Sequence, residues 1–215
     1  MSTSFYTAIL VILAVVGWFA VGTQFNVRRG YKVLAWLQQG LKVLGERTSM
    51  RWLGSSVVEL KIANAKAPFR SAAVTVVLEP RDVGLLWWFH HLRGRRDLLI
   101  FRGQLSSAPG FEFEALDPKG WSTRGVEQQV RFRNWNPVPL PDTSRLVAYC
   151  AGPAPSAHEL LGLVATPECP IIRLAIRRTE PNLEVHWKLT DAQKLPAQQL
   201  LQTLQLIPKA LAAHR

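Results

Sequence analysis

Residues 98–116 read LLIFRGQLSSAPGFEFEAL, and residues 171–189 read IIRLAIRRTEPNLEVHWKL. Each is an aliphatic run, a break rich in Ser, Pro, Gly or Asn, and a second run that alternates apolar with polar side chains. An aliphatic strand run on one side of such a break and a period-two run on the other predict a β-hairpin. Laid over each other, Pro109-Gly110 faces Pro181-Asn182, Phe111-Glu112-Phe113 faces Leu183-Glu184-Val185, and Asp117 faces Asp191. The offset stays at roughly 72 to 74 residues, the constancy that an internal duplication leaves.

Outward from the hairpins the order of elements repeats. Before the first lie strands at 56–63 (SVVELKIA) and 73–78 (AVTVVL), then a helix at 83–92 with Asp82 as its N-cap. Before the second lie a strand at 146–150 and a helix opened by Ser156. A helical stretch follows each hairpin, at 120–132 and from Pro196 onward, where Pro208 kinks or ends it. Between the halves, 134–142 (NWNPVPLPD) holds three prolines and reads as a linker. The expected fold class is α+β, an α/β-sandwich of two ferredoxin-like βαββα repeats occupying residues 56–133 and 143–215.

At the other end of the chain, residues 5–25 (FYTAILVILAVVGWFAVGTQF) carry no charge, behind a tail of residues 1–4. A run of roughly 20 apolar residues crosses a ~30 Å hydrocarbon core as one helix. A secretory signal peptide would put its positive charge before a shorter run and a small-residue cleavage site after it. Here the first charge is Arg28, followed by Arg29 and Lys32. Basic residues on that flank predict an N-terminus outside and a C-terminal domain in the cytoplasm of a cell-membrane protein. Residues 26–45 read as a separate juxtamembrane amphipathic helix, with Val33, Leu34, Leu37, Leu41 and Leu44 on one face. It either lies on the membrane, with Trp36 at headgroup depth, or caps the core of the domain.

All charged side chains follow the span, so the net charge of +11 belongs to the C-terminal domain. Such a domain suits an anionic leaflet, each Lys or Arg near it being worth about 1 kcal/mol. Nucleic acid is the second polyanion it suits. Cys150 and Cys169 are too few for a disulfide framework and, with His158 and His186, match no close-paired zinc spacing. No metal or cofactor is expected.

The most unusual local stretch is 85–96, where Trp87, Trp88, Phe89, His90 and His91 precede Arg93, Arg95 and Arg96. Consecutive aromatics on a helix cannot all face one core. Rings beside guanidinium groups suit a membrane interface, and they also suit stacked bases. Arg28, Arg29, Lys32, Trp36, Trp87, Trp88, Arg93, Arg95 and Arg96 are therefore the expected contacts with membrane or partner. Arg102, Arg173, Arg177 and Arg178 read as the solvated face of a half-buried sheet. No phosphate loop, dinucleotide fingerprint or nucleophile elbow occurs, and Glu112 and Glu114 alternate with Phe as any one-sided strand does. The expected function is a single-pass, non-enzymatic scaffold, assembly factor or accessory subunit that binds anionic lipid or a membrane or cytoplasmic protein. A membrane-tethered nucleic-acid binder is the alternative, ahead of a small-molecule sensor or enzyme with a site between the two halves.

Overall fold

A single helix, α1 (Thr3–Gln38), runs through the charge-free stretch and into the amphipathic one, which it leaves at Gln38 for a short 3-10 turn (Leu41–Val43) instead of continuing to residue 45. The break expected near residue 25 is absent, because no proline interrupts these residues and Gly22 and Gly30 are places of close packing. The computed structural model describes residues 3–141, 144–153, 156–190 and 194–213. Asp142, Thr143 and Asp191 lie outside them, and with them one end of the linker and the Asp117–Asp191 correspondence.

After α1 come β1 (Gly45–Trp52), β2 (Val57–Ala65), β3 (Phe69–Val77), α2 (Gly84–Leu92), β4 (Leu98–Leu105) and β5 (Glu112–Leu116). Then follow α3 (Val126–Phe132), β6 (Asn136–Val138), β7 (Val147–Ala151), α4 (Ala157–Val164), β8 (Ile171–Ile176), β9 (Leu183–Lys188) and α5 (Ala197–Ala213). The protein is α+β: the long apolar helix precedes a nine-stranded antiparallel sheet with helices, in the order β1-β2-β3-β4-β9-β8-β5-β7-β6. β1 was not anticipated. It is an edge strand whose sequence, GERTSMRW, leaves most side chains exposed, so it lacks the apolar alternation of a half-buried strand.

The two hairpins behave differently. β8 and β9 pair through their turn, with Ile176 opposite Leu183. β4 and β5 do not pair. The β8–β9 hairpin is inserted between them, so that Phe101 lies opposite Val185 and Ala115 opposite Leu174. Inserting two antiparallel strands preserves the alternating direction, so β4 and β5 keep the orientation of a hairpin across three interstrand gaps, about 14 Å. The break at 106–111 arches over the tip of the inserted hairpin. There Leu105 N–H donates to Asn182 Oδ1 (3.0 Å) and Arg178 donates to the Gly110 carbonyl (2.7 Å). Neither half is thus a self-contained ferredoxin-like unit, since each completes its sheet with strands of the other.

Smaller differences have local causes. Asp82 accepts from Ser55 Oγ (2.5 Å) instead of capping α2, whose N-cap is Val83. The helix expected over 120–132 forms only from Val126. The proline-rich linker contributes β6, which pairs only with β7, and Pro137 is tolerated there because an edge strand has N–H groups to spare. α5 continues past Pro208.

One sheet face holds the core. Val33, Leu34 and Leu37 of α1, Leu160 and Val164 of α4, and Leu200, Leu204 and Ile207 of α5 pack on Val74, Phe101, Phe113, Leu174, Val185 and Trp187. The amphipathic part of α1 is therefore a core helix. Trp36 is buried with it, donating Nε1–H to the Leu195 carbonyl (2.8 Å), and is not a headgroup contact.

Candidate membrane-facing site

α1 leaves the domain at one end of the sheet. From Thr3 to Val21 every residue is exposed, and Gly22 is the first buried one. A Cβ at Gly22 would lie 2.2 Å from the Arg81 carbonyl oxygen, so only glycine lets the helix meet the backbone at 81–82. One turn above, Trp18 donates Nε1–H to that same carbonyl (3.1 Å), and its indole packs on Gly84 at the start of α2. The apolar part of α1 and the start of α2 are therefore neighbours.

Below this contact a polar clasp locks both helices to the sheet. Asp97, 4% exposed, accepts from Arg29 (3.4 Å), Arg81 (3.0 Å) and the Glu79 backbone N–H (2.9 Å). Glu79, also buried, pairs with Arg81 (3.5 Å), accepts Trp87 Nε1–H (2.8 Å) and meets His91 Nδ1 (2.8 Å). Asn26 donates to Ser56 Oγ (3.0 Å) from the buried face of α1. Burial of carboxylates at this depth is tolerable only with such pairing.

The clasp fixes which way α2 faces. Trp87 and His91, four residues apart, share the side held by Glu79. Leu85, Trp88, Phe89 and Leu92 form the opposite stripe at i, i+3, i+4 and i+7, and all point away from the protein, with Leu85 85% exposed. A core helix turns such a stripe inward, so α2 has its amphipathy inverted. Arg93 stacks over Phe89 (3.8 Å) at the end of that stripe.

The expected contact residues thus separate. Arg28, Lys32, Trp88 and Arg93 are exposed; Arg29 belongs to the clasp, and Trp87 holds α2 to Glu79. Arg95 is half-buried and stacks on Trp121 (4.1 Å), and desolvation pushes its pKa down. Arg96 donates to the His91 and Arg95 carbonyls. The stripe adds Leu85, Phe89 and Leu92 to the expected contacts, and their helical spacing is readable in the sequence. Asp97 and Glu79 gave no signal, since they meet Arg29 and Trp87 only through the fold.

The second concentration of charge lies on the sheet face opposite the core. Arg173 sits between Glu114 (Nε to Oε1, 2.5 Å) and Glu184 (Nη1 to Oε1, 3.0 Å). Arg177 reaches Glu114 (3.1 Å), Arg102 reaches Glu184 (3.4 Å), and His186 Nε2 meets Glu184 (2.7 Å) with Ser122 at Nδ1 (3.3 Å). The expectation of a solvated basic face fails for Arg173, which is buried. Burial alone would raise the pKa of Glu184, but the hydrogen bond from His186 and the charge of Arg173 outweigh it and hold the carboxyl at about 2. Desolvation lowers the pKa of His186 in turn. These carboxylates are neutralised, so the cluster is a cross-strand brace. Cys150 is partly exposed and Cys169 is buried. No protein-family model and no curated protein matches this chain.

Proposed function

We propose that this is a single-pass membrane protein whose basic α+β domain is held on the cytoplasmic leaflet at two points, the span and the outward stripe of α2. The observation that carries this reading is the continuity of exposed apolar surface. The exposed part of α1, from Thr3 to Val21, is about 28 Å long at 1.5 Å per residue, close to the thickness of a hydrocarbon core. α1 is long and apolar enough to cross a membrane. Near the end of that exposure Trp18 packs on Gly84, the residue just before the stripe of α2. A monomer in water would leave both surfaces bare, whereas a bilayer covers the first as a span and the second as an interfacial helix. Arg28, Lys32 and Arg93 follow at headgroup level, on the flank that stays cytoplasmic. The brace and clasp make the domain a rigid platform, which fits a scaffold, assembly factor or accessory subunit better than an enzyme.

Spin labels at Leu85→Cys and Leu92→Cys, in full-length protein with Cys150 and Cys169 replaced and reconstituted in phosphatidylcholine vesicles, test the arrangement. Both labels should be more accessible to oxygen than to a water-soluble nickel chelate, and a label at Arg47→Cys should show the reverse. Water-like accessibility at Leu85 and Leu92 would remove α2 from the membrane.

A further inference from the structure

The loops at the end of the sheet where α1 departs enclose an open cleft of about 1280 Å³. Antiparallel register brings together the segments before β4, β7 and β8 and those after β5 and β9. All of these lie at the end where Asp97 holds Arg29. Five cations line the cleft: Arg93, Arg96, Lys119, Arg145 and Lys188. Its one carboxylate among the described residues, Asp117, accepts the Lys119 backbone N–H (2.9 Å).

What sets this cluster apart is its place, five cations around one concave cleft with a single carboxylate in the described wall. Arg29, Arg81, Arg102, Arg173 and Arg177 all meet carboxylates. Among the described residues, none of the five cleft cations is ion-paired. Among the described residues, Trp121, also in the wall, buries its Nε1–H without an acceptor, and Arg95 stacked above it buries Nε in the same condition. Buried donors without acceptors are uncommon and call for an explanation. Cations beside such donors suit an anionic acceptor with several oxygens.

We propose that this cleft binds the phosphate of an anionic phospholipid headgroup, with the acyl chains leaving toward the stripe of α2. Arg93 links the two surfaces, since it lines the cleft and also stacks on Phe89 of that stripe. A lipid is favoured over a soluble phosphate because the cleft opens at the end of the sheet facing the proposed bilayer. The inference rests on the membrane reading above.

The test uses full-length protein in mild detergent, with lipid adducts counted by native mass spectrometry during titration with phosphatidylglycerol or phosphatidylcholine. Wild-type protein should take up one phosphatidylglycerol ahead of any phosphatidylcholine. The double variant Lys119→Glu/Arg145→Glu should lose that affinity by roughly tenfold or more. Both side chains are exposed, so folding should persist, and a thermal transition checks it. Lys119→Gln/Arg145→Gln should show a smaller loss. Arg47→Glu/Arg70→Glu, an equal change of charge at the opposite end of the sheet, should leave binding intact. Equal uptake of the two lipids, or equal losses in both charge-reversed variants, overturns the cleft assignment. Binding of inorganic phosphate at this site without retention of phosphatidylglycerol assigns it to a soluble phosphate and overturns the lipid. Co-flotation of all variants with neutral phosphatidylcholine vesicles, stable to alkaline carbonate, reads the anchor separately: its loss in wild type sinks the membrane reading, and its persistence confines a failure to the cleft.

Discussion

Replacing Arg173 by methionine removes the one positive charge shared by two buried carboxylates. Glu114 loses a contact at 2.5 Å and Glu184 one at 3.0 Å. Breaking a buried pair from one side costs about 3–5 kcal/mol, because the remaining charge is stranded without water. Here each carboxylate keeps a second partner: Glu114 has Arg177 at 3.1 Å, and Glu184 has His186 at 2.7 Å and the half-exposed Arg102 at 3.4 Å. The loss should therefore fall at the lower end, about 3 kcal/mol. At roughly 2–4 °C per kcal/mol for a chain of this size, the melting temperature should drop by about 6–12 °C. Near-ultraviolet circular dichroism of the full-length protein in detergent follows the transition. The triple variant Glu114→Gln/Arg173→Met/Glu184→Gln strands no charge and should recover most of the loss. A single-variant shift below about 2 °C, or a triple variant no more stable than the single one, would refute the claim that this brace is dry.

The same brace makes stability depend on pH, and the sign follows from the direction of the shifts. Glu184 titrates at about 2 in the folded protein against 4.5 in its absence, so its contribution is full above 4.5 and disappears as pH falls toward 2. That contribution is on the order of 3 kcal/mol. His186 is also depressed, so it resists charging below its usual value of 6.5, and stability should already decline on mild acidification. His186→Gln should flatten the decline near neutrality in a pH series of thermal melts; an unchanged slope would exclude His186 as its source. At the other site, Gly22→Leu places side-chain atoms where a Cβ alone lies 2.2 Å from the Arg81 carbonyl, and backbone cannot yield as a flexible side chain can. Overpacking should cost at least about 1–3 kcal/mol and release α1 from the 81–82 loop. A thermal melt of the full-length protein in detergent reads the cost; a transition within about 2 °C of wild type would argue against the contact.

Several elements were legible in the sequence because their signal is local. The charge-free run announced the exposed part of α1, since helix length and absence of charge are properties of the chain alone. The runs at 98–105 and 171–176 announced β4 and β8 as short, continuous aliphatic stretches, each bounded by a turn signal. The stripe Leu85, Trp88, Phe89 and Leu92 was equally local, yet its spacing cannot say whether it faces a core or the outside. That depended on Glu79, which holds Trp87 and His91 on the inner side.

Strand pairing was decided elsewhere. A Pro-Gly break between two strand runs looks the same whether the runs pair with each other or admit a hairpin between them, because the direction of every strand is unchanged. Only the competition for partners settles it: β9 offers β4 the valine Val185 opposite Phe101, and β8 offers β5 the leucine Leu174 opposite Ala115. That interleaving brings Glu184 and Arg173 beside Glu114 and gathers five separated cations around one cleft. The sequence by itself determined an apolar helix, a basic remainder and the alternation of strands. The tertiary structure decided which strands meet, and therefore which charges cancel and which are left unpaired, because a charge's partner is set by long-range register that no neighbouring residue encodes.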